Sequence, residues 1–477
     1  MSQRPNASSG LYPRLVRALA LPLAERLQGM PVQARLGELE TSQWWPPERI
    51  RELQWAKLQR LLAHAYANVP YYRRRMDEAG VAPTDIRDWP DLARLPISEK
   101  DDLRAAGPEQ TRDQGVELAR LLPYASSGST GEPFRYGITK AEKAQRWAIV
   151  FRYWGWAGLW PGVRYVNVTG GAPGAFKGRP LLRRVEQAAT RVMELSAFEL
   201  YEGNAAAYVE RIRRFRPWAV RGYASTMDYL ARHLQAQGQT LPVGAVLTLG
   251  ETLYPQQRQV IQAAFGCPVY DAYGGEAMEA AAQCPQQAGG QGGYHINAES
   301  ILVEVVDDAG RPLPPGRPGQ LVLTNLDNYA MPFIRYNIQD VGALSAERCP
   351  CGRGLPVLES VEGRLTDTLV TPAGKVLVVH FFTLLLMRAE GIDHYQVVQE
   401  RPERMVLRLV PNAHYNEAEE ARLLAEVRRY VGPDVQVAVE RVAEIPLTRT
   451  GKRRFFVSHV HAAEVLQAWV QNSAHSV

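Results

Sequence analysis

The sequence predicts a layered α/β protein: a large N-terminal α/β domain with an antiparallel β subdomain, followed by a small α+β C-terminal domain. Three observations carry this expectation. Helical stretches alternate with short apolar runs from about residue 140 to 300, residues 301–324 carry hairpin chemistry, and the pattern restarts after Gly363 as a βαββαβ unit of its own.

Taken in chain order, residues 47–80 read as helices. Pro47 suits a first helical turn, and Leu53, Leu58, Leu61, Leu62 and Ala65 recur at helical spacing, which makes an aromatic-rich helical cap. Helical patterns over Ala205–Phe215, Thr226–Gln237 and Pro255–Phe265 then separate apolar runs such as Ala245–Leu249 and Val269–Ala272. Such alternation suits largely parallel strands. Residues 301–306 and 320–324 flank Asp307-Asp308-Ala309-Gly310 and a Pro/Gly-rich turn, so they should pair antiparallel. After Gly363 the expectation is a strand pair (Thr368–Thr371, Lys375–Val379), a helix near Phe381–Ala389, strands Tyr395–Gln399 and Met405–Leu409, a helix Glu417–Tyr430 and a strand Val435–Val439. The domain boundary falls near residue 363, dividing 1–362 from 363–477.

Composition narrows the function classes. The 477 residues are 46% hydrophobic and 22% charged, which excludes wholesale disorder and collagen-like repeats. A formal net charge of +5 is spread over the whole chain and is not the basic footprint of a nucleic-acid binder. The four cysteines are too few for a disulfide framework, so a reducing cytoplasm fits best. Leu15–Leu27 is interrupted by Arg17, Pro22, Glu25 and Arg26, so no transmembrane segment is expected there, while an amphipathic helix on a membrane surface stays open. A homodimer is compatible with all of this.

Tyr124-Ala-Ser126-Ser127-Gly128-Ser129-Thr130-Gly131-Glu-Pro-Phe134 is a Ser/Thr/Gly-rich loop. Its small residues let backbone N–H groups approach an anion, so it can cradle phosphates; a flexible linker is the alternative. Near the C-terminus, Ile445-Pro-Leu-Thr-Arg-Thr-Gly451-Lys452 presents a lysine after a glycine, suited to meeting developing negative charge or else to plain solvation. Between them, Asp271-Ala-Tyr273-Gly274-Gly275-Glu276, Ile334-Arg335-Tyr336-Asn-Ile-Gln-Asp340 and Gly363-Arg364-Leu-Thr366-Asp367 each place a carboxylate near an aromatic or a glycine at an element end. Carboxylates there can hold Mg²⁺, accept ribose hydroxyls, or simply cap a turn.

The five motifs in this order resemble the adenylate-forming enzymes, the acyl-CoA synthetase and ligase superfamily, and within it the phenylacetate–CoA ligase-like branch. The resemblance runs from about Leu53 to Phe455. It implies that Ser126 to Gly131 form the phosphate loop of an ATP site, with Glu276 as the Mg²⁺ carboxylate, Tyr273 and Gly274 along the adenine wall, and Asp271 and Arg364 among the ATP-binding residues. Gly250-Glu251 resembles the segment lining the adenine and acyl pocket, and Asp340 the ribose-binding carboxylate. Arg364 stands at the start of the hinge, Thr366 is the pivot, and Lys452 is the catalytic lysine of a mobile lid domain. Two departures are visible: one residue separates Gly274 from Glu276 where the family usually has two, and Thr366 stands where the hinge is usually acidic.

The cysteines form a separate constellation. Cys284, His295, Cys349 and Cys351 supply three thiols and an imidazole, the ligand set of a closed structural Zn²⁺ site, and several sequences of the resembled branch carry a similar pattern. The alternative is ordinary buried thiols. Cys267 reads as a core thiol, and the basic runs Arg183-Arg184 and Arg211–Arg216 read as solvated helix faces, with service to a coenzyme's phosphates as the alternative for either one. Trp154, Trp156 and Trp160 read as core, with an acyl-pocket wall as the alternative.

By the resemblance the function is ATP-dependent conversion of an aryl or acyl carboxylic acid to an acyl-adenylate with release of pyrophosphate, then transfer to coenzyme A. Transfer to an amine or hydroxyl, or a nucleotide-binding relative without catalysis, are the alternatives.

Overall fold

The computed structural model describes residues 10–125, 135–169, 190–197, 202–250, 255–275, 278–288, 293–362, 368–372, 376–378, 391–446 and 456–460, with residues 200, 253, 382 and 389. Helix Pro47–Asn68 begins at the proline that suits its first turn, and Leu58, Leu61, Leu62 and Ala65 are buried along one face. Burying each of these leucines contributes about 2 kcal/mol. They pack with helix Pro70–Glu78 onto the antiparallel strands of the central sheet, whose Leu321, Leu323 and Leu358 share the same core.

Strands β1 (Leu122–Ala125) and β2 (Arg135–Ile138) pair antiparallel, with Ala125 opposite Arg135, so they bracket the Ser/Thr/Gly-rich loop. Thr139 then caps helix Lys140–Trp156 by accepting from the Glu142 backbone N–H. The parallel half of the sheet follows: β3 (Tyr165–Thr169), β4 (Val192–Ser196), β5 (Ala219–Gly222), β6 (Ala245–Leu249) and β7 (Val269–Gly275), with helices Glu202–Phe215, Ala224–Ala236 and Pro255–Phe265 between them. These strands run parallel in the order β4-β3-β5-β6-β7.

The antiparallel part is not a separate layer. Strands β8 (Met278–Ala282), β9 (Tyr294–Ile296), β10 (Ile301–Val306), β11 (Gly319–Asn325), β12 (Tyr336–Leu344) and β13 (Val357–Glu362) continue the same sheet. Its eleven strands run β10-β11-β12-β13-β9-β8-β7-β6-β5-β3-β4. The weld is the antiparallel pairing of β7 with β8 and of β9 with β13. The expected hairpin is present, with Ile301 opposite Asn325.

In the C-terminal segment, β14 (Thr368–Val370) pairs antiparallel with β15 (Val376–Val378). Strands β16 (Ile392–Arg401), β17 (Arg404–Pro411) and β18 (Gln436–Arg441) surround helix Glu417–Val431. The order is β18-β17-β16-β19, where β19 (Phe456–Ser458) pairs parallel with β16. Strand β19 has no counterpart in the sequence reading, because its three residues are too short for a periodic signal. Leu369, Phe382, Val397, Leu407, Leu423 and Phe456 share a core distinct from those of the large sheet. Apart from Phe382 and Ala389, the expected helix near 381–389 lies outside the described residues.

Candidate active site

The parallel strands end on one edge of the sheet, where α/β proteins bind ligands. Gly250 follows β6 in the left-handed region, with φ of +71°, and Tyr223 is its neighbour. Tyr273 and Gly274 lie at the end of β7, and a Cβ at Gly274 would collide with the Met278 carbonyl, so the close approach of β8 requires glycine. Tyr273 donates its hydroxyl to Asp340 Oδ2 at 2.8 Å. Two residues expected against a nucleotide, 67 positions apart, are thus brought into direct contact.

Asp340 is buried in β12 behind a backbone that two non-glycine residues hold left-handed: Arg335 at φ +43° and Gln339 at +67°. Conformations of this kind cost about 1–3 kcal/mol each and persist only where the surroundings impose them. Here the surroundings do. The Gln339 N–H donates to Asn337 Oδ1 at 2.8 Å, and the buried Arg335 guanidinium pairs with Glu304 while donating to the carbonyls of Leu95 and Gly310.

Asp271 faces inward. Its carboxylate accepts from Thr248 Oγ1 at 2.5 Å and Tyr294 Oη at 2.7 Å, and its N–H donates to Gln283 Oε1. Burial raises its pKa, opposed by the Thr248 and Tyr294 hydrogen bonds. Gln283 in turn accepts from Arg258 Nη2. Asp271 therefore ties β7 to β6 and β9. Thr248, Gln283 and Tyr294 were not anticipated from the sequence; only the position of Tyr294, one residue before a candidate metal ligand, could have drawn attention to it.

Ser126, Ser127, Gly128, Ser129, Thr130, Gly131, Glu251, Glu276, Arg364, Thr366 and Lys452 lie outside the described residues, as does Arg183-Arg184. The described strands frame several of them: residues 126–134 join β1 to β2, Glu251 follows Gly250, and Glu276 falls between β7 and β8. The β7–β8 register slips between Tyr273 and Gly274, immediately before the Gly274–Glu276 stretch in which the acidic motif is one residue short. Three residues beyond Glu276, Glu279 accepts from Arg146 Nε at 3.0 Å and Tyr153 Oη at 3.2 Å, so its charge is already balanced.

The second constellation assembles fully. Cys284 follows β8, His295 lies in β9, and Cys349 and Cys351 lie in the turn between β12 and β13, with Val357 of β13 opposite His295. The four ligand atoms lie within 4.8 Å of one another, with Cys284 Sγ 3.7 Å from Cys349 Sγ and His295 Nε2 3.2 Å from Cys351 Sγ. A tetrahedral zinc with Zn–S of about 2.3 Å separates two sulfurs by about 3.8 Å, so the donor set and its spacing fit that ion.

Burial, with the Arg353 charge, takes His295 down to about 4, which keeps the ring neutral as a metal ligand must be. Burial and the neighbouring thiols push Cys284 up to about 12 when no metal offsets them. Cys351 goes the other way: burial would raise it, but the backbone and guanidinium of Arg353 bring it down. Gly352, at φ +84°, turns the chain after Cys351. The Arg353 guanidinium then sits 4.7 Å from the rings of both Trp44 and Trp156. Trp156 packs edge-on to His295 and donates its indole N–H to Gln43, while Trp154 is buried, so both tryptophans serve packing. Cys267 lies in the core beside Val269, and Arg213 and Arg214 pair with Glu210 on a solvated helix face.

Residues 369–459 match the family described as the CapK C-terminal domain. Over 372 residues the chain is 33% identical to the phenylacetate-coenzyme A ligase of Thermus thermophilus, covering 76% of this chain and 80% of that one. The chain belongs to the phenylacetate–CoA ligase-like branch of the adenylate-forming enzymes.

The Escherichia coli ligase of this branch is 30% identical over 390 residues, covering 78% of this chain and 83% of its own length. The same fold occurs in a 2-hydroxyisobutyryl-CoA ligase solved with an acyl-AMP in its postadenylation state, with a TM-score of 0.64 at 23% identity over 90% of this chain and 94% of that one. No described helix of this ligase is long and apolar enough to cross a membrane.

Proposed function

We propose that this ligase activates an aryl or acyl carboxylic acid with ATP, releases pyrophosphate, and passes the acyl group from the adenylate to coenzyme A. The observation that carries the assignment of residues is the Tyr273–Asp340 hydrogen bond at the C-terminal edge of the parallel strands. The Tyr273 ring stands beside the Asp340 carboxylate, which supports reading the pair as adenine wall and acceptor of ribose hydroxyls.

In this reading the amides and hydroxyls of residues 126–131 cradle the phosphates between β1 and β2. Gly250 and Glu251 line the adenine and acyl pocket, Tyr273 and Gly274 wall the adenine, and Asp271 holds β7 to its neighbouring strands. Asp340 takes the ribose and Glu276 would hold magnesium. Residues 363–477 act as a lid, with Arg364 at its hinge, Thr366 as pivot, and Lys452 delivered to the charge that gathers on the α-phosphate. Zinc at Cys284, His295, Cys349 and Cys351 fills all four positions of a closed site, so its role is to staple β8, β9 and the β12–β13 turn.

A screen of carboxylic acids for ATP–pyrophosphate exchange, followed by detection of the thioester with coenzyme A, tests the assignment. Exchange with one class of acid and thioester formation with the same acid are expected. AMP release driven by an amine or a hydroxyl and not by coenzyme A would replace the acceptor, and nucleotide binding without exchange for any acid would remove the chemistry.

The hydrogen bond itself is testable. Tyr273→Phe keeps the ring and removes the donor to Asp340, whose orientation toward the ribose then loosens. A hydrogen bond to a charged group is worth about 1.5–3 kcal/mol, so KM for ATP is expected to rise by about tenfold or more with the KM for the acid nearly unchanged. Unchanged KM for ATP would detach Tyr273 from the nucleotide.

A further inference from the structure

The first described helical segment is built with two different faces. It runs through Leu11–Leu15, a wide turn Val16–Ala20 and Leu21–Gln28. In the wide turn the Leu21 N–H reaches back five residues to the Val16 carbonyl. Pro22 gives the reason: a proline inside a regular helix clashes with the carbonyl four residues earlier, and a widened turn makes room. The inner face is tied to the domain. Pro13 is buried, Tyr12 lies under the Arg191 guanidinium at 3.6 Å, Arg17 lies over Trp160 at 4.7 Å, and Glu25 accepts from the Gln33 N–H at 2.8 Å.

The outer face is a ridge of leucines. Leu11, Leu15, Leu19, Leu23 and Leu27 recur at every fourth position and are between 46% and 80% exposed. In an unbroken α-helix a four-residue repeat drifts around the axis by about 40° per step. The wide turn rotates less per residue and offsets that drift, so the leucines stay on one side. Among the described residues, the other large exposed apolar side chains are only Trp44 and Trp147. Exposed apolar surface is therefore concentrated here, on a helix whose other side is already anchored.

Charge selects what covers it. Residues 10–29 contain Arg14, Arg17 and Arg26 against Glu25 alone, and the Glu25 carboxylate is engaged by Gln33. Arg14 and Arg26 are exposed, each one residue before a ridge leucine. Apolar side chains flanked by arginines suit an anionic lipid surface, where leucines enter the acyl boundary and guanidinium groups stay with the headgroups. Pairing the ridge with a second copy would instead bring two surfaces of the same sign together.

We propose that the Leu11–Leu27 ridge, with Arg14 and Arg26, seats this protein on the surface of an anionic membrane. The segment lies on the membrane and does not span it, so binding is reversible and weakens with salt.

The test is flotation of the full-length protein with vesicles of phosphatidylcholine alone or mixed with phosphatidylglycerol. The wild type is expected to float with the mixed vesicles and to be released by high salt. The variant L15S/L19S/L23S should lose vesicle binding by at least tenfold, and R14Q/R26Q should lose the preference for anionic lipid. Unchanged circular dichroism and thermal unfolding of both variants separate loss of docking from loss of fold. A wild type that does not float, or a leucine variant that floats equally well, overturns the proposal. So does a wild type that self-associates in solution without binding vesicles while the leucine variant is monomeric, because the ridge would then pair with a second copy.

Discussion

Lys452→Ala is expected to lower carboxylate-dependent pyrophosphate exchange by about 10²-fold or more, while ATP binding stays within a few fold of wild type. The asymmetry follows from the role proposed for the lysine. A cation delivered by a lid meets the α-phosphate when the carboxylate attacks and negative charge collects on the phosphoryl oxygens; it meets much less charge in the ground state. Interactions made chiefly in the transition state change kcat and leave substrate affinity nearly alone. Lys452→Arg keeps the charge but moves it onto a larger planar group, so it should restore only part of the rate. Measuring exchange alongside equilibrium nucleotide binding separates the cases. A variant that exchanges pyrophosphate at the wild-type rate takes Lys452 out of the chemistry, and one that loses nucleotide binding in proportion makes it a binding residue.

The second large effect concerns the Cys/His cluster. Purified protein should contain about one zinc per chain, and Cys349→Ser or Cys351→Ser should release it. Loss of a structural metal belongs with the most destabilising changes, more than about 4 kcal/mol, so a fall in Tm of roughly 10 °C or more is expected. Metal affinity should also drop as pH falls, because the thiols must give up their protons to ligate.

Geometry adds a functional consequence. His295 follows Tyr294, which donates to Asp271, and Cys284 follows Gln283, which accepts from the Asp271 N–H. Releasing the metal loosens both braces of β7, so KM for ATP should rise in protein that is stripped by a chelator yet still folded. Metal analysis without zinc after growth in ample zinc would return the four residues to the role of buried thiols, and stripped protein with an unchanged KM for ATP would uncouple the cluster from β7.

The family was legible because its signals are local. A Ser/Thr/Gly run, a glycine before a lysine, and carboxylates after aromatic turns each belong to a few consecutive residues, and their order along the chain separates one superfamily from others. The grouping of Cys284, His295, Cys349 and Cys351 was legible for the same reason, since thiol and imidazole chemistry is written in residue type. The alternation of helical and apolar segments from 140 to 300 likewise announced parallel strands, which need a helix at each crossover.

The tertiary structure decided what depends on which distant residues become neighbours. Pairing of β9 with β13 joins residues about sixty apart, and it both fuses the antiparallel strands to the parallel ones and closes the Cys/His cluster. Asp271 and Tyr273 lie two residues apart in one motif, yet Asp271 bonds to Thr248 of β6 and Tyr294 of β9 while Tyr273 reaches Asp340 of β12. The apolar content of Leu11 to Leu27 was plain from composition, but the outward side of the ridge was set by the inward contacts of Tyr12, Pro13 and Arg17. Residue type and local periodicity determine what each segment can form; register and burial, which are properties of pairs far apart in the chain, decide which of its groups are spent on holding the fold and which are left to meet a ligand.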